Sequence, residues 1–317
     1  MRWLSALALF SFATLGHAVV GPGVVTGNTA VHDPTMCKDN SGKYFVFSTA
    51  VGLEIRTSTD RTAWTLVGKV LQMGGFRVFS STSWTSSNRF LPYSNLWAPD
   101  CTYVNGQFIL YYAASSFGSQ NSAIFLAKSS TGMPGSWTNE GMVTSTSTAN
   151  NYNAIDPNLL IDGSSWRLSL GSFWTGIKSM SLNPSTGFLS SSTVTSLAQR
   201  TANGGAIEAS VVFNFNGFYY LFSSWDNCCQ GTSSTYNIRV GRSTSATGGF
   251  VDQAGVSLLN GGGTLVLGSH DSIIGPGGQD LMVDGDGPIL VYHYYTPSGS
   301  FLGINRLDFS SGWPVVV

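Results

Sequence analysis

Charge is what this chain has least of: Asp, Glu, Lys and Arg make up 10% of its 317 residues, and the net charge is -1. Nucleic-acid and anionic-membrane binders need clustered Lys and Arg, so neither partner is expected. Helical patterning is missing as well. No long stretch carries apolar residues at i, i+3, i+4 and i+7. After the N-terminus, no run reaches about 18 consecutive apolar residues, which leaves no membrane-spanning helix. Cysteines number four and none forms Cys-x-x-Cys, which argues against a structural zinc site. Asn-x-Ser/Thr is absent from the mature region, so N-glycosylation is not expected.

Aromatic residues (13%, nine of them Trp) and 38 glycines are abundant. Disordered chains lack aromatics, so this one folds. An aromatic, hydroxyl-rich, charge-poor surface suits a neutral, hydroxyl-bearing ligand. Arg2, the apolar stretch Trp3 to Leu15 and the small residues around Gly16-His17-Ala18 read as a signal peptide over residues 1–18. The remaining 19–317 read as one domain of a secreted, extracellular protein, a monomer by default. Four cysteines in an oxidising compartment allow three pairings. Cys37 and Cys101 both lie shortly after the start of a repeat and could bridge neighbours. Cys228 and Cys229 are either a vicinal disulfide or two thiols.

Short β-like runs bounded by Gly, Asn, Asp and Ser recur at roughly the length of a propeller blade. Five units align. They enter at Asp33, at Leu96-Trp97-Ala98-Pro99-Asp100, at Asp156, at Glu208, and at Gly275-Pro276-Gly277-Gly278-Gln279-Asp280. Each continues through an aromatic-rich run such as Tyr44-Phe45-Val46-Phe47 or Gly217-Phe218-Tyr219-Tyr220-Leu221-Phe222 to a further strand. The expected fold is all-β, a five-bladed β-propeller. A two-sheet sandwich would not explain the repeat. Innermost strands line a propeller's channel, so the unit starts converge on one axis. The residues there are unlike: Asp33, Trp97, Asp156, Glu208 and Gln279, which points to a single asymmetric site.

Two opposed carboxyl groups are the minimum for hydrolysing a glycosidic bond. Glu208 follows Ala206-Ile207 with no adjacent charge, where desolvation raises a carboxyl pKa as a general acid requires. Pro34 and Pro157 stiffen the backbone beside Asp33 and Asp156. A lone Asp-Pro is more often a turn; three acids in register across repeats favour catalysis. His32 neighbours Asp33, but strand alternation turns it away from the axis. His270, like His32, can be read as an acid–base candidate, Arg242 reads as structural, and Gly275-Pro276-Gly277-Gly278 lacks the Lys-Ser/Thr of a nucleotide loop.

His32-Asp33-Pro34, Leu96-Trp97-Ala98-Pro99-Asp100, Asn153-Ala154-Ile155-Asp156-Pro157, Ala206-Ile207-Glu208-Ala209-Ser210, Arg239-Val240-Gly241-Arg242-Ser243 and Gly275-Pro276-Gly277-Gly278-Gln279 together resemble glycoside hydrolase family 43, closely its secreted fungal endo-α-1,5-L-arabinanases. The resemblance spans essentially the whole mature chain. The Trp-x-Asn-Asp-Pro and Glu-Cys of configuration-retaining invertase-like propellers are absent. The resemblance implies endo-hydrolysis of arabinan with inversion: Asp33 as general base, Glu208 as general acid, and Asp156 tuning and orienting the acid. Inversion asks for about 6.5–9.5 Å between the two catalytic carboxyl groups.

By the same carry-over, Trp97, Phe117, Gly118, Asn153, Ala154, Ile155, Gly171, Ser172 and Phe173 belong to the substrate cleft. For Trp97 the alternative is blade-core packing. His293, by itself a satisfied interior histidine, would sit beside a largely water-coordinated cation, usually calcium; no organic cofactor is implied. Rival readings are an exo-acting α-L-arabinofuranosidase or β-xylosidase, with Gln72–Arg89 as the one insertion able to close an end of the cleft, and a non-catalytic sugar-binding propeller.

Overall fold

Asn-Gly pairs show how the alternating runs become sheets. Asn105-Gly106 (φ 52°, 78°) and Asn216-Gly217 (φ 50°, 79°) hold both central residues left-handed. That geometry matches a tight hairpin to the twist of its strands. They join Trp97–Val104 to Gln107–Ala114 and Ile207–Phe215 to Phe218–Trp225. The computed structural model describes residues 20–71 and 95–317. The expected signal peptide and the Gln72–Arg89 stretch lie outside the described residues.

The described strands form five sheets, the blades of a five-bladed β-propeller. Blade I comprises Thr35–Lys38, Tyr44–Ser48, Glu54–Ser58 and Ala63–Lys69, and blade II Trp97–Val104, Gln107–Ala114, Ser122–Ser129 and Trp137–Thr146. Blade III runs Asn158–Asp162, Ser165–Leu170, Ile177–Leu182 and Thr195–Ala198. Blade IV is Ile207–Phe215, Phe218–Trp225, Asn237–Ser243 and Thr264–Leu267, and blade V Ile274–Asp284, Gly287–Thr296, Gly299–Asp308 and Val315–Val316. The sequence pattern shows three strands per unit. The fourth escapes it because an outermost strand buries little: along Ala63–Lys69 only Trp64 is buried.

Hydrophobic burial lies between the blades. Phe47 and Tyr112 pack between I and II, Tyr111 and Leu168 between II and III, Ile177 and Leu221 between III and IV, Phe222 and Leu290 between IV and V, and Val46 and Val291 between V and I. The Cys37–Cys101 disulfide joins the inner strands of I and II, so the bridge between neighbouring units is present. Cys228 and Cys229 form the vicinal disulfide. The N-terminal segment closes the circle. Thr26–Gly27 pairs with Ala63–Lys69 of blade I, and Leu302 N–H of blade V donates to Thr29 O (2.9 Å).

The axis is held by hydrogen bonds from each blade to the next. Asp280 Oδ2 accepts from Met36 N–H (2.8 Å), and Thr35 Oγ1 accepts from Cys101 N–H (2.9 Å). Asp100 Oδ2 accepts from Leu159 N–H (2.8 Å), and Asn158 Oδ1 from Val212 N–H (3.0 Å). Blade IV has Val211 at this place, which cannot accept, and Leu281 N–H turns to Asp280 Oδ1 instead (2.7 Å). Just before this ring each blade has one left-handed residue: Asp33, Ala98, Asp156, Ala209 and Gly278 (φ 46°, 39°, 55°, 51°, 57°). In blades II, IV and V a register shift marks a bulge there.

Asn158→Ala strips Val212 N–H of its acceptor and Asp100 of its Asn158 Nδ2 donor. Buried groups left unpaired cost about 1–3 kcal/mol each, so a loss of about 3 kcal/mol in urea unfolding is expected. Asp100 is raised to about 8 by burial and then by the nearby Asp280 charge; Asp280 is raised to about 6 by burial. The folded chain therefore binds more protons than the unfolded one above the ordinary carboxylate range. Stability should fall as pH rises toward 8, on the order of 1 kcal/mol per pH unit per proton. Denaturant midpoints at pH 6 and 8 should show the fall, and Asp100→Asn should flatten it.

Candidate active site

The left-handed residue at each blade entry decides what reaches the mouth of the channel. Asp33 and Asp156 occupy it in blades I and III, where Asp tolerates positive φ better than most residues. Glu208 does not. The equivalent residue in blade IV is Ala209, so Glu208 stands one place earlier, level with Trp97 and Gly277. The expectation of three acids in strict register is corrected here. The bulge brings both kinds of position toward the axis. The fifth-blade equivalent of Asp33 is Gly278 rather than Gln279.

The three carboxyl groups are half-buried, and the charges of Glu208 and Asp33 bear on the titration of Asp156, as that of Asp33 bears on Glu208. Asp33 Oδ2 accepts from Thr49 Oγ1 (2.9 Å) and lies 2.8 Å from His32 Nδ1. Burial pushes Asp33 up, but the charge and hydrogen bond of His32, then His293 and Thr49, outweigh it and hold it at about 2. Glu208 Oε2 accepts from Ser172 Oγ (2.7 Å) and Oε1 from Tyr236 Oη (2.8 Å). Burial, opposed by those two donors and helped by the Asp33 charge, raises Glu208 above its ordinary value. Asp156 is raised further, by burial and then by the charges of Glu208 and Asp33. Its Oδ2 accepts from Ala209 N–H (3.0 Å), which pins the backbone beside Glu208. One carboxylate is thus ionised and two are biased toward protonation, the division that acid–base work needs.

His32 is not turned away. Its ring stacks on His293 at 4.0 Å and bonds Asp33. The left-handed φ of Asp33 breaks the alternation on which the opposite expectation rested. Burial pulls His32 down, but the charge and hydrogen bond of Asp33 outweigh it and raise it. Tyr236, Tyr295 and Thr49 also belong to the site, and no sequence signal singled them out. Gln279 Nε2 donates to Ala209 O, a second clamp beside Glu208.

Among the expected cleft residues, Phe117 is 86% exposed beside Gly118 (φ 72°), and Trp97 and Phe173 are half-buried. Gly171 (φ 135°) has no room for a side chain, since a Cβ would stand 2.6 Å from Gly176 O. Asn153, Ala154 and Ile155 are buried, and Asn153 Oδ1 accepts from Ser122 Oγ (2.6 Å).

His32, Asp33 and His293 each present a donor atom within 4.8 Å of the others, a group able to hold a metal ion. His293 Nδ1 already accepts from Asp33 N–H (3.1 Å), and Nε2 is paired with Tyr295 Oη (3.1 Å). One carboxylate and two engaged ring nitrogens fall well short of the six to eight oxygens calcium takes. These residues do not fit direct calcium ligation.

The profile of glycosyl hydrolases family 43 matches residues 24–314. A probable arabinan endo-1,5-α-L-arabinosidase A of Aspergillus flavus is 40% identical, over 98% of this chain and 99% of its own. The extracellular endo-α-(1→5)-L-arabinanase 1 of Bacillus subtilis is 43% identical, over 90% and 88%. Among solved structures, a family 43 endo-arabinanase from Bacillus licheniformis is 38% identical and covers 92% of this chain and 99% of its own, with a TM-score of 0.82.

A Cβ on Gly278 would stand 2.5 Å from Asp33 Oδ1 and 2.8 Å from His293 Nδ1. Gly278→Ala is expected to lose about 1–2 kcal/mol in thermal unfolding through its left-handed backbone. Displacing Asp33 should cost it roughly tenfold or more in turnover of a glycoside substrate, a barrier change of about 1.4 kcal/mol.

Proposed function

The chain belongs to glycosyl hydrolases family 43, and on that premise we propose that it cleaves internal α-1,5 bonds of arabinan by single-displacement inversion. The observation that carries the reading is the unlike setting of two half-buried carboxyl groups: Asp33 against His32 and Thr49, which favour its ionised form, and Glu208 between the hydroxyls of Ser172 and Tyr236, where burial favours its acid form. Asp33 takes the proton of a water that attacks the anomeric carbon. Glu208 protonates the departing glycosidic oxygen from the opposite side. Asp156, through Ala209 N–H, keeps the acid in place and adds negative charge that opposes its ionisation whenever Asp156 itself is ionised.

Trp97, Phe117 and Phe173 offer apolar faces on which the C–H groups of a furanose can lie. The backbone at Gly118 and Gly171, Ser172 beside the acid, and the layer Asn153-Ala154-Ile155 beneath complete the substrate-binding set. A cation near His293 would be held through water, and no step of this mechanism passes through it. The chain acts as a single secreted domain over residues 19–317, a monomer with arabinan as its partner. The extracellular Bacillus subtilis relative supports secretion. No helix among the described residues is long and apolar enough to cross a membrane.

The test is the product pattern from linear arabinan. A ladder of short oligomers from the wild type, lost in Glu208→Ala, is the expected outcome; monomer alone would mark an exo enzyme. Release of no sugar, with binding retained, would leave only a sugar-binding propeller. Proton NMR of the first products should show the β-anomer forming before mutarotation, and α-product would exclude inversion.

A further inference from the structure

Two aromatic side chains are exposed among the described residues, Phe117 at 86% and Trp174 at 40%, and the substrate-binding set takes in only the first. They occupy equivalent loops. Phe117 lies between the second and third strands of blade II, Gln107–Ala114 and Ser122–Ser129. Trp174 lies between those of blade III, Ser165–Leu170 and Ile177–Leu182. An antiparallel second strand ends where the first begins, so both loops lie on the face of the channel mouth.

Trp64, Trp166 and Trp225 are buried, Trp137 packs edge-on to Phe47, and the Arg242 guanidinium covers Trp313. The Trp174 ring has no aromatic or cationic partner among the described residues, and its Nε1 has no hydrogen-bond partner there. Its backbone is nonetheless tightly held. Phe173 and Trp174 are both left-handed (φ 53°, 41°), which bulky residues rarely adopt. Phe173 N–H donates to Ile207 O (3.0 Å), and Gly176 N–H closes the turn on Phe173 O (2.7 Å). Thr175 reaches Asn151 O through its N–H (3.2 Å) and its Oγ1 (2.6 Å). Strain held in place by its surroundings concentrates at ligand clamps. The same loop touches the acid: Ser172 Oγ donates to Glu208 Oε2 two residues before Trp174. Trp174 thus stands on the Glu208 side of the cluster, where the departing oxygen is protonated.

We infer that Trp174 is a specificity-determining residue, stacking on an arabinofuranose of the leaving chain outward of the sugar attached to the scissile oxygen. An indole face covers the C–H groups of such a ring, and its free N–H can donate to one hydroxyl. Only a leaving chain of more than one sugar reaches it, so Trp174 favours cuts that leave several sugars on that side. The inference rests on the arabinanase reading and on Glu208 as its acid.

The experiment uses arabinotriose to arabinohexaose labelled at the reducing end, so that the labelled product is the leaving chain. Trp174→Ala is expected to lose about tenfold in kcat/KM on arabinohexaose, the worth of one aromatic contact, and less as the chain shortens. Its labelled products should become shorter, because cuts near the reducing end no longer forgo the indole. Trp174→Phe keeps an aromatic face and should restore the length dependence. Calorimetry on Glu208→Ala should show arabinohexaose bound about tenfold more weakly once Trp174→Ala is added. Equal losses at every length, no loss at any, or longer labelled products would overturn the inference while the wild type still cuts arabinan into oligomers. A wild type that releases no sugar from arabinan, or full turnover in Glu208→Ala, would overturn the underlying reading, and the inference with it.

Discussion

The structure depends on a ring of buried hydrogen bonds around the axis, in which a side chain of one blade accepts from the backbone of the next. Asp280, Thr35, Asp100 and Asn158 perform this in turn. Hydrophobic clusters between blades supply most of the burial, yet apolar packing is non-directional and would tolerate sliding. The hydrogen bonds fix where each inner strand begins relative to its neighbour. Their partners are buried, so a slip would leave groups unpaired, which is costly in a low dielectric. Blade IV, with Val211, is the one interruption, and Asp280 compensates by bonding its own neighbour's N–H.

Register at the axis is also what makes chemistry available. The left-handed residue before each ring position throws neighbouring side chains toward the channel mouth, so Asp33, Asp156 and Glu208 meet although they are far apart in sequence. Around them are two histidines and hydroxyl groups, and no Lys or Arg contributes to their shifts. A buried carboxylate without a cation beside it is expensive, so protons are shared out by local partners. Asp33 has two histidines and ionises. His32 bears only weakly on Glu208 and no histidine bears on Asp156, and burial favours the neutral forms of both.

Much of this was legible in the chain. Five repeated entries, aromatic runs and the absence of helical periodicity gave the propeller, and Asp33, Asp156 and Glu208 stood out as isolated acids at those entries. The outermost strands did not stand out, because an edge strand such as Ala63–Lys69 buries too little to leave a period-two pattern. The one-residue offset of Glu208 was hidden because a bulge changes the count of residues without changing their character. His32 was misread for the same reason: alternation presumes extended backbone, and Asp33 is not extended.

Fold class, repeat, family resemblance and the three isolated acids can all be read along the chain, because periodicity and residue type are local properties. Which acid favours its ionised form, that His32 faces Asp33, and that Tyr236, Tyr295 and Thr49 join them emerge with the assembled blades. Protonation depends on burial and on neighbours tens to hundreds of residues away, as in the contact between Asp33 and His293 across 260 positions. Such distances have no trace in a local pattern, and only closure of the blade circle brings them to hydrogen-bonding range.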